Sequence, residues 1–165
     1  MRSKFIASLL ATILFSVGFS SVAQAASTAT VNWANTLSTG STGVVQIVGT
    51  GIDSSGNIYA AGYANGAFVD GGTTYTPAGG YDIVLVKYNS AGVKQWLKLY
   101  GSAGTDQAYR MTVAPNGTSY ITGQFCGSVT VAPLSAVTPG ATCDGMLIAV
   151  NTSGNGVFFQ KFTGA

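Results

Sequence analysis

The stretch Asp53-Ser-Ser-Gly-Asn-Ile-Tyr-Ala-Ala-Gly62 comes back as Ala114-Pro-Asn-Gly-Thr-Ser-Tyr-Ile-Thr-Gly123, sixty-one positions later. The register continues with Asp82-Ile-Val-Leu-Val-Lys-Tyr-Asn-Ser-Ala-Gly92 against Asp144-Gly-Met-Leu-Ile-Ala-Val-Asn-Thr-Ser-Gly154, now sixty-two apart after one inserted residue. Self-similarity at this period is the mark of a modular architecture, in which one supersecondary unit is used more than once. Any fold proposed for the chain has to accommodate two units of the same kind.

Within each unit the pattern is that of short strands joined by tight turns. Val44 to Asp53 is rich in Val, Ile and Gly with little polar alternation, which predicts a strand buried on both faces. Ser54-Ser55-Gly56 reads as a turn in which glycine supplies a positive φ, and Asn57 to Tyr63 as the next strand. A long loop from 64 to 80 follows, with five glycines and Pro77. Tyr81 to Asn89 is a strand, Ser90-Ala91-Gly92 a turn, and Val93 to Leu99 a strand carrying Trp96. The second unit repeats the order: strands at 107–113, 118–125, 144–150 and 157–162, turns at Pro115-Asn116-Gly117 and Asn151 to Gly156, and a long loop up to Cys143. Trp33, in the alternating segment Val31 to Leu37, matches Trp96 and suggests the last strand of a preceding unit. No segment after the leader reads as a helix. The expectation is an all-β fold of two four-stranded antiparallel units plus one extra N-terminal strand, repeated as the blades of a β-propeller are.

These residues resemble a bacterial β-propeller repeat, the SBBP repeat. Its pattern runs from Asp-x-x-Gly-Asn-x-Tyr-x-x-Gly through a Gly-rich loop and Gly-x-Asp to an apolar strand ending in Lys-Tyr, then a Trp. Asp53, Gly56, Asn57, Tyr59, Gly62, Gly80, Asp82, Lys87, Tyr88, Gly92 and Trp96 match it in the first unit. Gly101, Gly104, Asp106, Ala108, Gly117, Tyr120, Gly123, Phe125, Asp144 and Gly154 match in the second, where Ala114, Thr118, Val150 and Phe158 depart from it. The resemblance implies blades of a propeller and a family of surface and secreted proteins. It implies no particular ligand. Two blades do not close a ring, so the chain is expected to be an incomplete propeller. Its partners are then other propeller blades, in the same longer chain or in a homo-oligomer.

The leader places the protein. Arg2 and Lys4 precede an apolar run from Phe5 to Phe19, and Ala23-Gln24-Ala25 has the small-x-small form of a cleavage site. Residues 1–25 therefore read as a cleaved signal peptide, 26–37 as a tail and the strand of a preceding blade, 38–99 as the first repeat and 100–165 as the second. The destination is the medium, the cell surface or the periplasm. Cleavage takes Arg2 and Lys4 from seven basic residues, leaving five against five Asp and no net charge. Such a chain lacks the clustered basic face that nucleic acid requires, and it keeps no membrane span once the leader is removed. In an exported protein, Cys126 and Cys143 are expected to form a disulfide.

Candidate chemistry is sparse. There is no His and no Glu, and neither a serine-catalytic arrangement nor a cofactor motif. Asp53-Ser-Ser-Gly-Asn57 has too few carboxylates for a calcium loop, so a plain turn is the stronger reading. Asp82 and Asp144 as a hydrolytic carboxylate pair form a distant third reading. Asn116-Gly-Thr118 and Asn151-Thr-Ser153 are glycosylation patterns that coincide with turns. The loops 64–80, 126–143, 38–43 and 100–106 should share one rim, which carries Tyr75, Tyr81, Tyr100 and Asp106. If the protein binds protein or glycan, this rim is the expected surface, because variable loops on a rigid scaffold are where recognition usually resides. The leading reading is a non-catalytic structural or protein-interaction module, and the alternative is a carbohydrate-binding module.

Overall fold

Four hairpins close on the same five-residue turn: Asp53–Asn57, Asn89–Val93, Ala114–Thr118 and Asn151–Asn155. In each, the first N–H bonds the fifth carbonyl and the glycine N–H at position four bonds the first carbonyl, at 2.8–3.0 Å. The glycines Gly56, Gly92, Gly117 and Gly154 have φ of +77° to +82°, the left-handed region that side chains resist. This is a three-residue hairpin loop, a type I turn followed by a left-handed glycine. At three of the turns the first side chain braces the loop. Asp53 Oδ1 accepts from Ser55 and Asn57 N–H, Asn89 Oδ1 from Ala91 and Val93, and Asn151 Oδ1 from Ser153 and Asn155. Ala114 has no such oxygen, and Asn116 Oδ1 takes the Thr118 N–H instead.

The computed structural model describes residues 38–39, 43–140 and 142–163, all within the unit Asn32–Ala165. The expected signal peptide, the expected tail and the strand expected at Val31 to Leu37 lie outside the described residues. The strands are β1 (Ser38–Thr39), β2 (Val44–Ile52), β3 (Ile58–Asn65), β4 (Phe68–Asp70), β5 (Thr73–Tyr75), β6 (Asp82–Tyr88), β7 (Lys94–Tyr100), β8 (Gln107–Val113), β9 (Ser119–Phe125), β10 (Asp144–Val150) and β11 (Gly156–Phe162). They form three antiparallel sheets: sheet 1 in the order β2-β3-β6-β7, sheet 2 in the order β8-β9-β10-β11, and a small sheet β1-β4-β5. No described residue is helical, and none of these sheets closes on itself.

Two details differ from the sequence reading. The loop 64–80 contains a hairpin, β4–β5, turned by Gly71 and Gly72 at φ +55° and +79°. Two consecutive left-handed glycines make the tight turn that suits the twist of paired strands, and Asp70-Gly-Gly-Thr73 is its sequence signal. The second difference is β2, which is not buried on both faces. Val44, Ile47 and Ile52 are exposed because β2 is the first strand of its sheet and pairs along one side only, with β3.

Sheets 1 and 2 pack face to face. Ala61, Ile83, Leu85 and Tyr100 of sheet 1 meet Ile121, Phe125, Met146, Ile148 and Val150 of sheet 2, with Val129 and Val131 of the 126–143 loop folded into the same core. The other face of sheet 1, with Val84, Val86 and Tyr88, packs with Phe68 and Tyr75 of the β4–β5 hairpin. The first strands, β2 and β8, come closest at two glycines. A Cβ at Gly51 would lie 2.5 Å from Val113 Cγ2, and one at Gly49 would lie 3.0 Å from Met111 Cβ.

Polar groups of sheet 1 also grip the turns of sheet 2. Ser54 donates its N–H (3.0 Å) and its hydroxyl (2.8 Å) to Pro115 O. Lys87 Nζ (3.3 Å) and Trp96 Nε1 (3.0 Å) both donate to Thr152 O, and the Tyr100 hydroxyl donates to Gly154 O at 2.8 Å. All five donors belong to sheet 1 or its turn, and every acceptor is a backbone carbonyl of sheet 2's turns.

Candidate functional site

The rim opposite these turns is built on three aspartates at strand starts or just before them. Each accepts a hydrogen bond from the N–H four residues earlier, which curls the incoming loop onto the strand. Ala78 N–H donates to Asp82 Oδ2 (2.8 Å), Ser102 N–H to Asp106 Oδ2 (2.7 Å) and Gly140 N–H to Asp144 Oδ2 (2.8 Å). Asp106 is the most heavily bonded, accepting also from the Ser102 hydroxyl (2.6 Å) and, at Oδ1, from Cys126 N–H (3.0 Å).

Two of these loops run side by side. Gly80 N–H donates to Gly104 O and Asp106 N–H to Tyr81 O, a parallel bridge that joins the two sheets through backbone alone. It brings Asp82 near Asp106, and both are shut from solvent, at 2% and 0% exposure. Burial holds the Asp82 carboxyl above its ordinary value of 3.8; the Ala78 and Gly79 amides pull it back, and the charge of Asp106 adds to the rise. Asp82 Oδ1 has no hydrogen-bond partner, and its carboxyl occupies the space that a Cβ at Gly101 would need. Two carboxyl groups with one disfavoured charge are the raw material of acid–base chemistry. Here their bonded oxygens are given to backbone amides and a serine hydroxyl, and neither group opens to a substrate.

The rim residues singled out in the sequence do not form one surface. Tyr81 adjoins Asp106 through the bridge, and its ring stands edge-on to Tyr63 at 5.3 Å. Tyr75 stacks on Phe68 at 5.4 Å, and Lys94 Nζ lies 5.5 Å from its ring centre. Tyr100 is buried, which raises its hydroxyl pKa, and its hydroxyl bonds the turn of sheet 2. Cys126 and Cys143 are joined by a disulfide that spans the 126–143 loop. Asp144, the other carboxylate weighed for hydrolysis, opens β10 with Lys161 Nζ 3.7 Å away.

The motif Asp53 to Asn57 is a closed network. Asp53 Oδ2 accepts from Asn57 Nδ2 (2.8 Å) and the Tyr59 hydroxyl (3.1 Å), while Oδ1 takes two backbone amides. Burial works to raise the Asp53 carboxyl, but the Asn57, Tyr59 and Ser55 hydrogen bonds outweigh it and hold the group below 3.8. The same burial and carboxylate push Tyr59 up to about 12. With each oxygen carrying two donors, the carboxylate is engaged within the protein rather than presented to a cation.

Sequence reasoning missed the ion pair of Asp70 with Lys94 (2.7 Å), which pins the β4–β5 hairpin to the start of β7; Asp70 and Lys94 are far apart in the chain and no local pattern links them. An incomplete propeller is expected to leave its end faces bare, but the residues of that face were not named: on the outward face of sheet 2, Tyr120, Phe158 and Phe162 are exposed, and a depression of about 220 Å3 is lined by Arg110, Met111, Thr112, Tyr120, Thr122 and Leu147. The alternation of β9 was the available signal, since Tyr120 and Thr122 stand opposite Ile121. No family model matches the chain, and no curated protein matches it.

Proposed function

We propose that this chain is an exported, non-catalytic repeat module of the β-propeller type, acting as a structural or protein-interaction element at the bacterial cell surface. One observation carries the reading: two four-stranded meanders, each numbered first strand to fourth, pack face to face with their first strands drawn together at Gly49 and Gly51. In a propeller the first strands of successive blades line a common axis, and small residues there let them converge. The disulfide fits export, and among the described residues no helix is long and apolar enough to cross a membrane. The buried rim carboxylates favour a scaffold over a hydrolase, and the packed rings of Tyr75 and Tyr81 favour it over a glycan-binding rim.

The test is expression of the full chain in a bacterial host, followed by fractionation, intact mass and thiol titration. The expected product lies outside the cytoplasm, begins at Ala26 and has no reactive thiol. A cytoplasmic chain that keeps Met1 overturns the export reading. Turnover of a glycoside lost in Asp82→Asn, or saturable glycan binding lost in Tyr81→Ala, overturns the structural one.

A further inference from the structure

Sheet 1 holds sheet 2 with five donated hydrogen bonds, from Ser54 N–H and hydroxyl, Lys87, Trp96 and Tyr100. The strand pairing shows which residues of sheet 2 occupy the same places on its own outward face. Lys87 pairs with Trp96 in sheet 1 as Ala149 pairs with Phe158 in sheet 2, and Ile83 pairs with Tyr100 as Gly145 pairs with Phe162. Ser54, second in its turn, corresponds to Pro115. Every donor is therefore gone: Pro115 has neither N–H nor hydroxyl, and Ala149, Phe158 and Phe162 carry no polar atom on their side chains. A further sheet docked in the same head-to-tail way would bury turn carbonyls against these groups with nothing to bond them, and an unpaired buried acceptor bears its whole desolvation penalty.

What stands at the donor positions is apolar, while Thr122 and Gln160 flank Leu147 in the next row of the same face. Tyr120, Ala149 and Phe158 lie in one row across the strands, with Leu147 and Phe162 beyond it. Tyr120, Phe158 and Phe162 are 39%, 38% and 55% exposed. Arg110 is the one charged side chain on this face. We infer that the outward face of sheet 2 is a docking surface for a second copy of this chain, packed face to face about a two-fold axis. In such a contact the Tyr120–Ala149–Phe158 row of one copy meets that of the other, Thr122 and Gln160 can pair across the contact, and no turn carbonyl is buried without a donor. A two-fold axis repeats every contact in both directions, so Phe158 of each copy seats in the depression beside Arg110 of the other. The guanidinium there can lie over the incoming ring. Four strands about 4.8 Å apart and seven residues at about 3.4 Å rise give a face of roughly 450 Å2 per copy. Two such faces reach about 900 Å2, below the range of stable complexes and in that of weak, transient ones, so the dimer forms and dissociates with concentration. The inference rests on the packing of the two sheets and stands apart from the export reading.

Sedimentation velocity of the processed chain over a concentration series tests it. The expected result is a reversible monomer–dimer equilibrium, with dimer lost in the Phe158→Gln, Phe162→Gln double variant and kept in Val93→Gln, an exposed apolar residue of the turn between β6 and β7. Thermal melting of each variant confirms that it is folded. Thr122→Cys, near the middle of the face, should be joined to its own copy in the dimer by a bifunctional maleimide that spans about 10 Å, the spacing of packed sheets, because only a two-fold contact brings identical residues together. A monomer at every concentration, an open series of higher oligomers, a dimer insensitive to the double variant, or absence of the self-cross-link each overturns the inference.

Discussion

Asp53 and Asp82 are both buried carboxyl groups, and acid acts on them in opposite senses. Asp53 is held below its ordinary value, so it contributes stability above the unfolded-chain pKa and loses it as the pH falls through the folded one. Asp82 is held above its ordinary value, so its contribution is complete below the unfolded pKa and is lost as the pH rises through the folded one. Asp82→Asn is therefore expected to raise the melting temperature at neutral pH, with the gain shrinking toward about pH 3, where the wild-type group is protonated in both states. Asp53→Ala should do the reverse, costing about 1.5–3 kcal/mol near neutrality because hydrogen bonds to a charged acceptor are lost and the Tyr59 hydroxyl is stranded. Melting curves of both variants across that range check the two signs. The Ala114 turn keeps the same backbone bonds without a carboxylate, so the cost at Asp53 belongs to its side-chain network and not to the hairpin.

At the scale of elements, the hairpin turns were legible and the contacts between sheets were not. A left-handed glycine at the fourth position is a local requirement, and the sequence displays it four times. Strand limits at 107–113 and 144–150 followed from the same local logic. The β4–β5 hairpin was obscured by its own glycines, because the residues that permit its turn also mark a flexible loop. The rim aspartates were visible as residues, but the closeness of Asp82 and Asp106 depends on two loops lying side by side, which no single stretch encodes. Two glycines separate local conformation from packing. Gly72 has φ +79° and open space around it, so Gly72→Ala is expected to cost about 1–2 kcal/mol for the left-handed backbone alone. A Cβ at Gly117, at φ +82°, would lie 2.5 Å from Thr152 Cγ2 and 2.7 Å from the Tyr59 hydroxyl, adding about 1–3 kcal/mol of overpacking. Chemical denaturation of the two variants gives the difference directly.

For the whole molecule, cohesion comes from the shared core, the backbone bridge at the rim and the donors at the opposite turns. Tyr100→Phe keeps the ring and removes one donor, leaving Gly154 O buried without its partner; a loss of about 1–3 kcal/mol in unfolding free energy is expected. Replacing Cys126 and Cys143 by Ser frees the loop that brings Val129 and Val131 into the core, and should cost about 2–4 kcal/mol by the same measurement. The grip between the sheets is also one-sided. Its acceptors are main-chain carbonyls, which every amino acid supplies, whereas four of its five donors are particular side chains. Outside Gly117 and Gly154, whose backbone and close packing admit only glycine, the receiving turns can thus drift in sequence without losing these bonds, and the giving strands cannot: in a stack grown by duplicating such a unit, substitutions accumulate most readily wherever a copy only receives.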